Sequence, residues 1–196
     1  MRRGWTIFSR CTSALLALTL ASVAAHAQTS AAPARYNELT LAGLRPGRDS
    51  LAIAQKHYKA KYSSNEESGT TQKQWGDPCT GHTLTLTVDT QNVIEAVTVS
   101  SLVPLDGKCE SRRNEVLDEK NWVTGRGLHL GDPQDRVSQL YGDPAYSGPS
   151  VKGSAELEFL NYPFDWMGSG VPQAMQIYCE RDTGKVVEIT LLFPSP

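Results

Sequence analysis

Between residues 83 and 88 the chain alternates strictly, with Thr83, Thr85 and Thr87 interleaved with Leu84, Leu86 and Val88. A period of two with one apolar phase predicts a strand that buries one face and leaves the other wet. The chain then turns through residues 89–92 and returns as the apolar segment 93–99, which completes a hairpin. A second hairpin is written near the C-terminus. Met175, Ile177 and Cys179 alternate with Gln176, Tyr178 and Glu180, Asp182-Thr183-Gly184 reverses the chain, and Val187, Ile189 and Leu191 carry the returning apolar phase.

Each hairpin follows a helix opened by a glycine turn. Gly43-Leu44-Arg45-Pro46-Gly47-Arg48-Asp49 returns one residue shorter as Gly127-Leu128-His129-Leu130-Gly131-Asp132. In the second copy Asp132 suits an N-cap, Pro133 the first helical position and Gly142 a stop after Val137, Leu140 and Tyr141. In the first, Asp49 or Ser50 caps a run in which Leu51, Ala54, Tyr58 and Tyr62 recur at helical spacing. Aligning Asp49 with Asp132, an offset of 83, also superposes Tyr58 on Tyr141, whereas the hairpins superpose at an offset of 92. The extra length lies between helix and hairpin. There the second copy carries an added apolar strand, 156–162, running into Pro163-Phe164-Asp165-Trp166, while the first carries the polar stretch 63–71, read as a flexible loop.

These elements predict an α+β protein of two tandem units, each with helices packed on one face of a small antiparallel sheet. The units span 36–103 and 121–196, joined by a charged linker at 104–120. Leu84, Leu86, Val88, Val137, Leu140, Ile177, Ile189 and Leu191 are the expected core. Tyr178 falls on the polar phase of its strand, as do Thr85, Thr87 and Glu188 on theirs, so these four are expected on the face the helices leave open. Tyr162 and Trp166 are expected to extend it. Tyr and Trp dominate protein-recognition hot spots, which makes these six the candidate protein-binding face.

The N-terminus changes where the protein is expected to work. Arg2, Arg3 and Arg10 precede an apolar run of about ten residues that leads into Ala25-His26-Ala27, the pattern of a cleaved signal peptide. Cleavage near Ala27 would give a periplasmic or secreted chain beginning at Gln28, with 28–35 a disordered mature N-terminus. The apolar run is too short for a membrane span. Losing three arginines leaves 16 basic against 21 acidic residues, a charge of −5 that argues against nucleic acid and anionic lipid as partners. Composition is otherwise globular, at 39% hydrophobic and 20% charged.

Export permits disulfides, and Cys79, Cys109 and Cys179 follow the cleavage point. Cys79 and Cys109 flank the first hairpin, whose outer ends meet when its strands pair, so they are the expected disulfide. The bond would contribute about 3.5 kcal/mol by restricting the unfolded chain. Cys179 reads as a buried thiol, and the other pairings stay open.

No catalytic pattern accompanies this. His57, His82 and His129 have no metal-ligand spacing, the glycine turns lack a phosphate-loop lysine, and no nucleophile elbow is present. The expectation is a non-enzymatic chain with no cofactor and no metal.

The pattern Gly-x-x-x-Gly-Asp at Gly127 to Asp132, a short helix ending in Tyr141-Gly142-Asp143-Pro144, an aromatic strand and a Val-rich hairpin resembles the SmpA/OmlA family of outer-membrane assembly lipoproteins. The tandem arrangement resembles the β-lactamase inhibitory protein family. That resemblance implies two units presenting a concave sheet face to a partner protein. The lipobox of the lipoproteins is absent, and Trp75-Gly76-Asp77-Pro78 comes later than the corresponding motif should. A protein-binding module or inhibitor of unidentified partner is the first functional expectation. An envelope assembly or structural protein is the second, and a small-ligand carrier or enzyme the third.

Overall fold

The computed structural model describes residues 36–67, 70–77, 80–103, 119–166 and 170–193. The signal segment 1–27, residues 28–35, Cys79, Cys109 and the linker up to residue 118 lie outside the described residues. Eight strands follow in chain order: β1 (Ser63–Glu67), β2 (Thr70–Asp77), β3 (His82–Val88), β4 (Ile94–Ser100), β5 (Tyr146–Lys152), β6 (Ala155–Pro163), β7 (Ala174–Glu180) and β8 (Val186–Leu192). All pair antiparallel in one sheet of order β1-β2-β3-β4-β8-β7-β6-β5.

Helix is scarce. The described residues contain α1 (Leu51–His57, seven residues), α2 (Gln134–Tyr141, eight residues) and a 3-10 turn at Glu119–Asn121. The fold is therefore mainly β, which corrects the α+β expectation. Two causes combine. The helices stop after two turns, α2 at Gly142 with φ +77°, and the stretch 63–71 is not a flexible loop but mostly the β1–β2 hairpin. Strand β5 was also not foreseen. Both β1 and β5 are edge strands, and an edge that buries little has no need of apolar alternation. Pro149 is tolerated in β5 for the same reason, since an outer strand leaves one row of backbone groups unpaired.

One face of the sheet is covered. Trp75, Leu84, Leu86, Val88, Ile94, Val97, Val99, Leu160, Tyr162, Met175, Ile177, Cys179, Val186, Ile189 and Leu191 form it. Over them lie Leu51, Ala54, Val137 and Tyr141 of the helices and Leu41, Ala42, Leu44, Trp122 and Leu128 of the irregular segments. Each Leu, Ile or Val buried this way contributes about 1.5–3 kcal/mol. Of the expected core only Leu140 is merely half-buried, packed at the margin of the cluster. Trp75 sits between Tyr58 and Tyr62, with ring centroids 5.9 and 5.0 Å away, and its indole N–H donates to the Ala60 carbonyl at 3.0 Å.

The turns that open the two helices repeat each other's bonds to the hairpins. The Gly47 N–H donates to Ile94 O at 2.7 Å, and the Gly131 N–H to Val186 O at 2.7 Å. The Ile94 N–H returns to Asp49 O and the Val186 N–H to Asp132 O, at 2.9 and 2.8 Å. The hairpin turns match too, with Asn92 at φ +62° and Gly184 at φ +64°. Where the halves meet, bonds exchange as a twofold axis requires. The Ala42 N–H donates to Val123 O while the Gly125 N–H donates to Thr40 O, and the Ser101 N–H donates to Val187 O while the Phe193 N–H donates to Glu95 O. Strands β4 and β8 pair along this axis, which makes one continuous sheet of both halves.

Candidate protein-binding face

The face opposite the helices carries the polar phase of most strands, and of β6 one of its two apolar phases. Register sets Ser63, Gln74, Thr85, Thr98, Thr190, Gln176, Asn161 and Tyr146 opposite one another in a single row across all eight strands. The next row runs Gly76, Thr83, Ser100, Glu188, Tyr178, Phe159 and Gly148. Thr87 lies one step to the other side, opposite Gln72 and Ala96. Thr85, Thr87, Tyr178 and Glu188 thus share this face.

Tyr162 does not. It is on the covered face at 2% exposure, with its ring 5.9 Å from that of Tyr141 and its hydroxyl donating to Gly142 O. Strand β6 carries apolar residues in both phases, Leu157 and Phe159 in one and Leu160 and Tyr162 in the other. Alternation therefore could not decide its facing, and pairing of Phe159 with Tyr178 does. Trp166 stands beyond the end of β6. It meets the Phe164 ring edge-on at 5.8 Å, and its indole N–H donates to Pro172 O at 2.6 Å, within the loop that leads to β7.

In their place the structure brings forward Tyr146, Phe159 and Lys152. The Tyr146, Phe159 and Tyr178 rings form a file over β5, β6 and β7, with centroid separations of 6.0 and 5.0 Å. Lys152 lays its ammonium over the Tyr178 ring, 3.6 Å from the centroid, and pairs with the Glu188 carboxylate. Lys152 belongs to β5 and Glu188 to β8, three strands away in the sheet order, so this pair requires the β5–β6 hairpin to curl over the face. Leu157, fully buried although on this face, lies in that curl. Glu188 is nine-tenths buried, and its charge is tolerable there because a cation meets it directly. Tyr146, at 58% exposure, is left at the rim. Phe159 alternating with Leu157 was the available signal for this cluster, masked by the equally apolar opposite phase.

Two of the histidines have carboxylate neighbours. His82 Nδ1 meets Glu119 at 2.7 Å, and His129 Nδ1 lies 3.8 Å from Asp132. Cys179 is a free thiol in the core, pushed up to about 12 by burial and, secondarily, by the Glu158 charge, so it is no nucleophile at neutral pH. Among the described residues no three His, Cys, Asp or Glu side chains converge, and no helix is long and apolar enough to cross a membrane. No protein-family model matches the chain, and no curated protein or solved structure matches it.

Proposed function

We propose that the chain is an exported, non-enzymatic protein-binding module or inhibitor that takes its partner on the uncovered face of the sheet. The observation that carries this is the file of Tyr146, Phe159 and Tyr178 on the face opposite the helices, with Tyr146 exposed at the rim and Phe159 and Tyr178 half-buried beside the curled β5–β6 hairpin. Aromatic rings held rigidly by neighbours lose little freedom on binding, and they supply both apolar area and hydroxyl groups. Lys152 and Glu188 fix the Tyr178 ring beforehand, so little ordering is left to do when a partner arrives. In the same row Gln74, Thr85, Gln176 and Asn161, all half-buried, add a hydroxyl and amides that suit an exposed backbone. The reading agrees with the resemblance to the β-lactamase inhibitory protein family, in which a concave sheet face meets a protein. Export rests on the N-terminal segment.

The test is capture from the envelope fraction of the source cells, with the full chain and its Tyr146→Ala and Tyr178→Ala variants immobilised side by side. A protein retained by the wild type and lost by both variants, with thermal unfolding unchanged for Tyr146→Ala, is the expected result. Retention of the same proteins by all three chains would refute the face.

A further inference from the structure

The sheet has two outer strands, and only one of them is closed to further pairing. Pro149 stands in the middle of β5, and the β5–β6 hairpin is curled over the face by the Lys152–Glu188 pair. A proline offers no N–H, and a curled strand does not lie flat against a neighbour. Strand β1 has neither feature. Ser63, Ser64, Asn65 and Glu66 are all exposed, and the strand contains no proline. The row that ends at Ser63 on one side ends at Tyr146 on the other, 83 positions later, so the counterpart of Glu66 is Pro149 itself.

The register of β1 decides which of its backbone groups are free. Glu67 pairs with Thr70, which leaves two residues to connect the strands. In a hairpin so closed the flanking pair is of the hydrogen-bonded kind, and so is every second pair beyond it, here Asn65 with Gln72 and Ser63 with Gln74. The N–H and C=O groups of Ser64 and Glu66 therefore point away from the sheet. Being two residues apart, these two also carry their side chains on one face. The charges beside them are placed to match. Ser64 lies opposite Lys73 of β2, whose ammonium reaches the Ser64 hydroxyl at 2.6 Å with the Tyr62 ring 5.5 Å away. Neither Lys73 nor Glu66 is in an ion pair among the described residues.

We propose that β1 pairs antiparallel with β1 of a second copy of this chain, about a twofold axis at Asn65, so that one sheet runs through both copies. An axis there sets Ser64 opposite Glu66 of the second copy, which joins outward-facing backbone groups to outward-facing ones, and each such pair exchanges both of its hydrogen bonds. The Glu66 carboxylate of the second copy then lies beside Ser64, where the Lys73 ammonium already is, and the twofold repeats the contact. Neighbouring axes fit worse. One at Ser64 brings the two Lys73 ammonium groups toward each other, and one at Glu66 sets like carboxylates opposite. Because Pro149 closes the other edge, assembly stops at the dimer. The β4–β8 seam joins equivalent strands of the two halves in the same antiparallel manner. This edge is separate from the binding face proposed above, and pairing along it does not depend on that face.

The experiment is sedimentation equilibrium of the full chain from micromolar concentration up to about 1 mM, the weak end of specific association. A reversible monomer–dimer equilibrium is expected. Glu66→Lys and Lys73→Glu should each weaken it about tenfold, since either one puts like charges into both symmetry-related contacts. An equimolar mixture of these two variants should associate about as the wild type does, because every contact in the mixed pair is again Lys against Glu. Glu66→Pro, which copies Pro149, should leave the chain monomeric with a native circular-dichroism spectrum. A wild type that stays monomeric throughout, a mixture no tighter than its separate components, or a folded Glu66→Pro that still dimerises overturns the proposal. If Glu66→Pro does not fold, the mixture decides alone.

Discussion

Thr98 and Thr190 are equivalent residues of the two halves, 92 positions apart, and they face each other across the β4–β8 seam with their hydroxyl oxygens 2.9 Å apart. A residue that pairs with its own counterpart lies on the axis relating the halves. Leu41 and Thr124, 83 apart, bridge in the same way at the other end of the axis. The two offsets therefore belong to one arrangement, and the seam needs no special interface because it is a strand pairing like the others.

Because Thr190 is nearly buried, its hydroxyl depends on Thr98. Thr98→Val should cost about 1 kcal/mol, the penalty for leaving a partner unmet, and adding Thr190→Val should cost little more or recover part of the loss. Urea unfolding of the two single variants and the double variant measures the coupling.

Gly47 and Gly131 hold equivalent turns at φ +78° and +84°, but their surroundings differ. A Cβ on Gly47 would fall 2.5 Å from the Phe193 ring, whereas one on Gly131 meets nothing within 4 Å. Gly131→Ala should therefore lose only about 1 kcal/mol from backbone strain, and Gly47→Ala clearly more. Equal losses in thermal unfolding would mean that Phe193 does not pack on the turn.

Lys152→Ala should leave the buried Glu188 charge without its cation. Breaking such a pair on one side costs more than removing both charges, about 3 kcal/mol when burial is complete and less at this partly exposed site. Lys152→Ala combined with Glu188→Gln should be more stable than Lys152→Ala alone, as read by denaturant midpoints.

Alkali should act through Cys179. Its thiol ionises near 9.0 when unconstrained and near 12 in the fold, so below pH 9 both states carry the same proton. Between those values the unfolded chain releases the proton and the folded chain keeps it, so stability falls as pH rises. Cys179→Ala should show a shallower decline over that window than the wild type. Identical slopes in both proteins would contradict the burial of the thiol.

What the sequence made readable follows from burial on one side. Thr83 to Val88 and Met175 to Glu180 alternate because one face is packed and the other is not, and Thr85, Thr87, Tyr178 and Glu188 could be placed from that phase alone. Ser63 to Glu66 and Tyr146 to Lys152 bury little at the edges and carry no such signature. Leu157, Phe159, Leu160 and Tyr162 are apolar in both phases because β6 is packed on one face by the core and on the other by the curled hairpin. The α+β expectation failed where glycine turns announced helices correctly but said nothing of their length. The β4–β8 seam joins residues 92 apart, a distance over which local pattern carries no information.

The central claim, that the uncovered face and not the helix side meets the partner, is tested most directly by site-specific photo-crosslinking in the envelope fraction. A photoreactive amino acid would replace Tyr146 or Thr85 on the uncovered face, and Asp135 or Lys56 on the helices. The account predicts a discrete adduct with one partner protein from positions 146 and 85 and none from 135 and 56. Adducts from 135 and 56 alone, or none from 146 and 85, would contradict it.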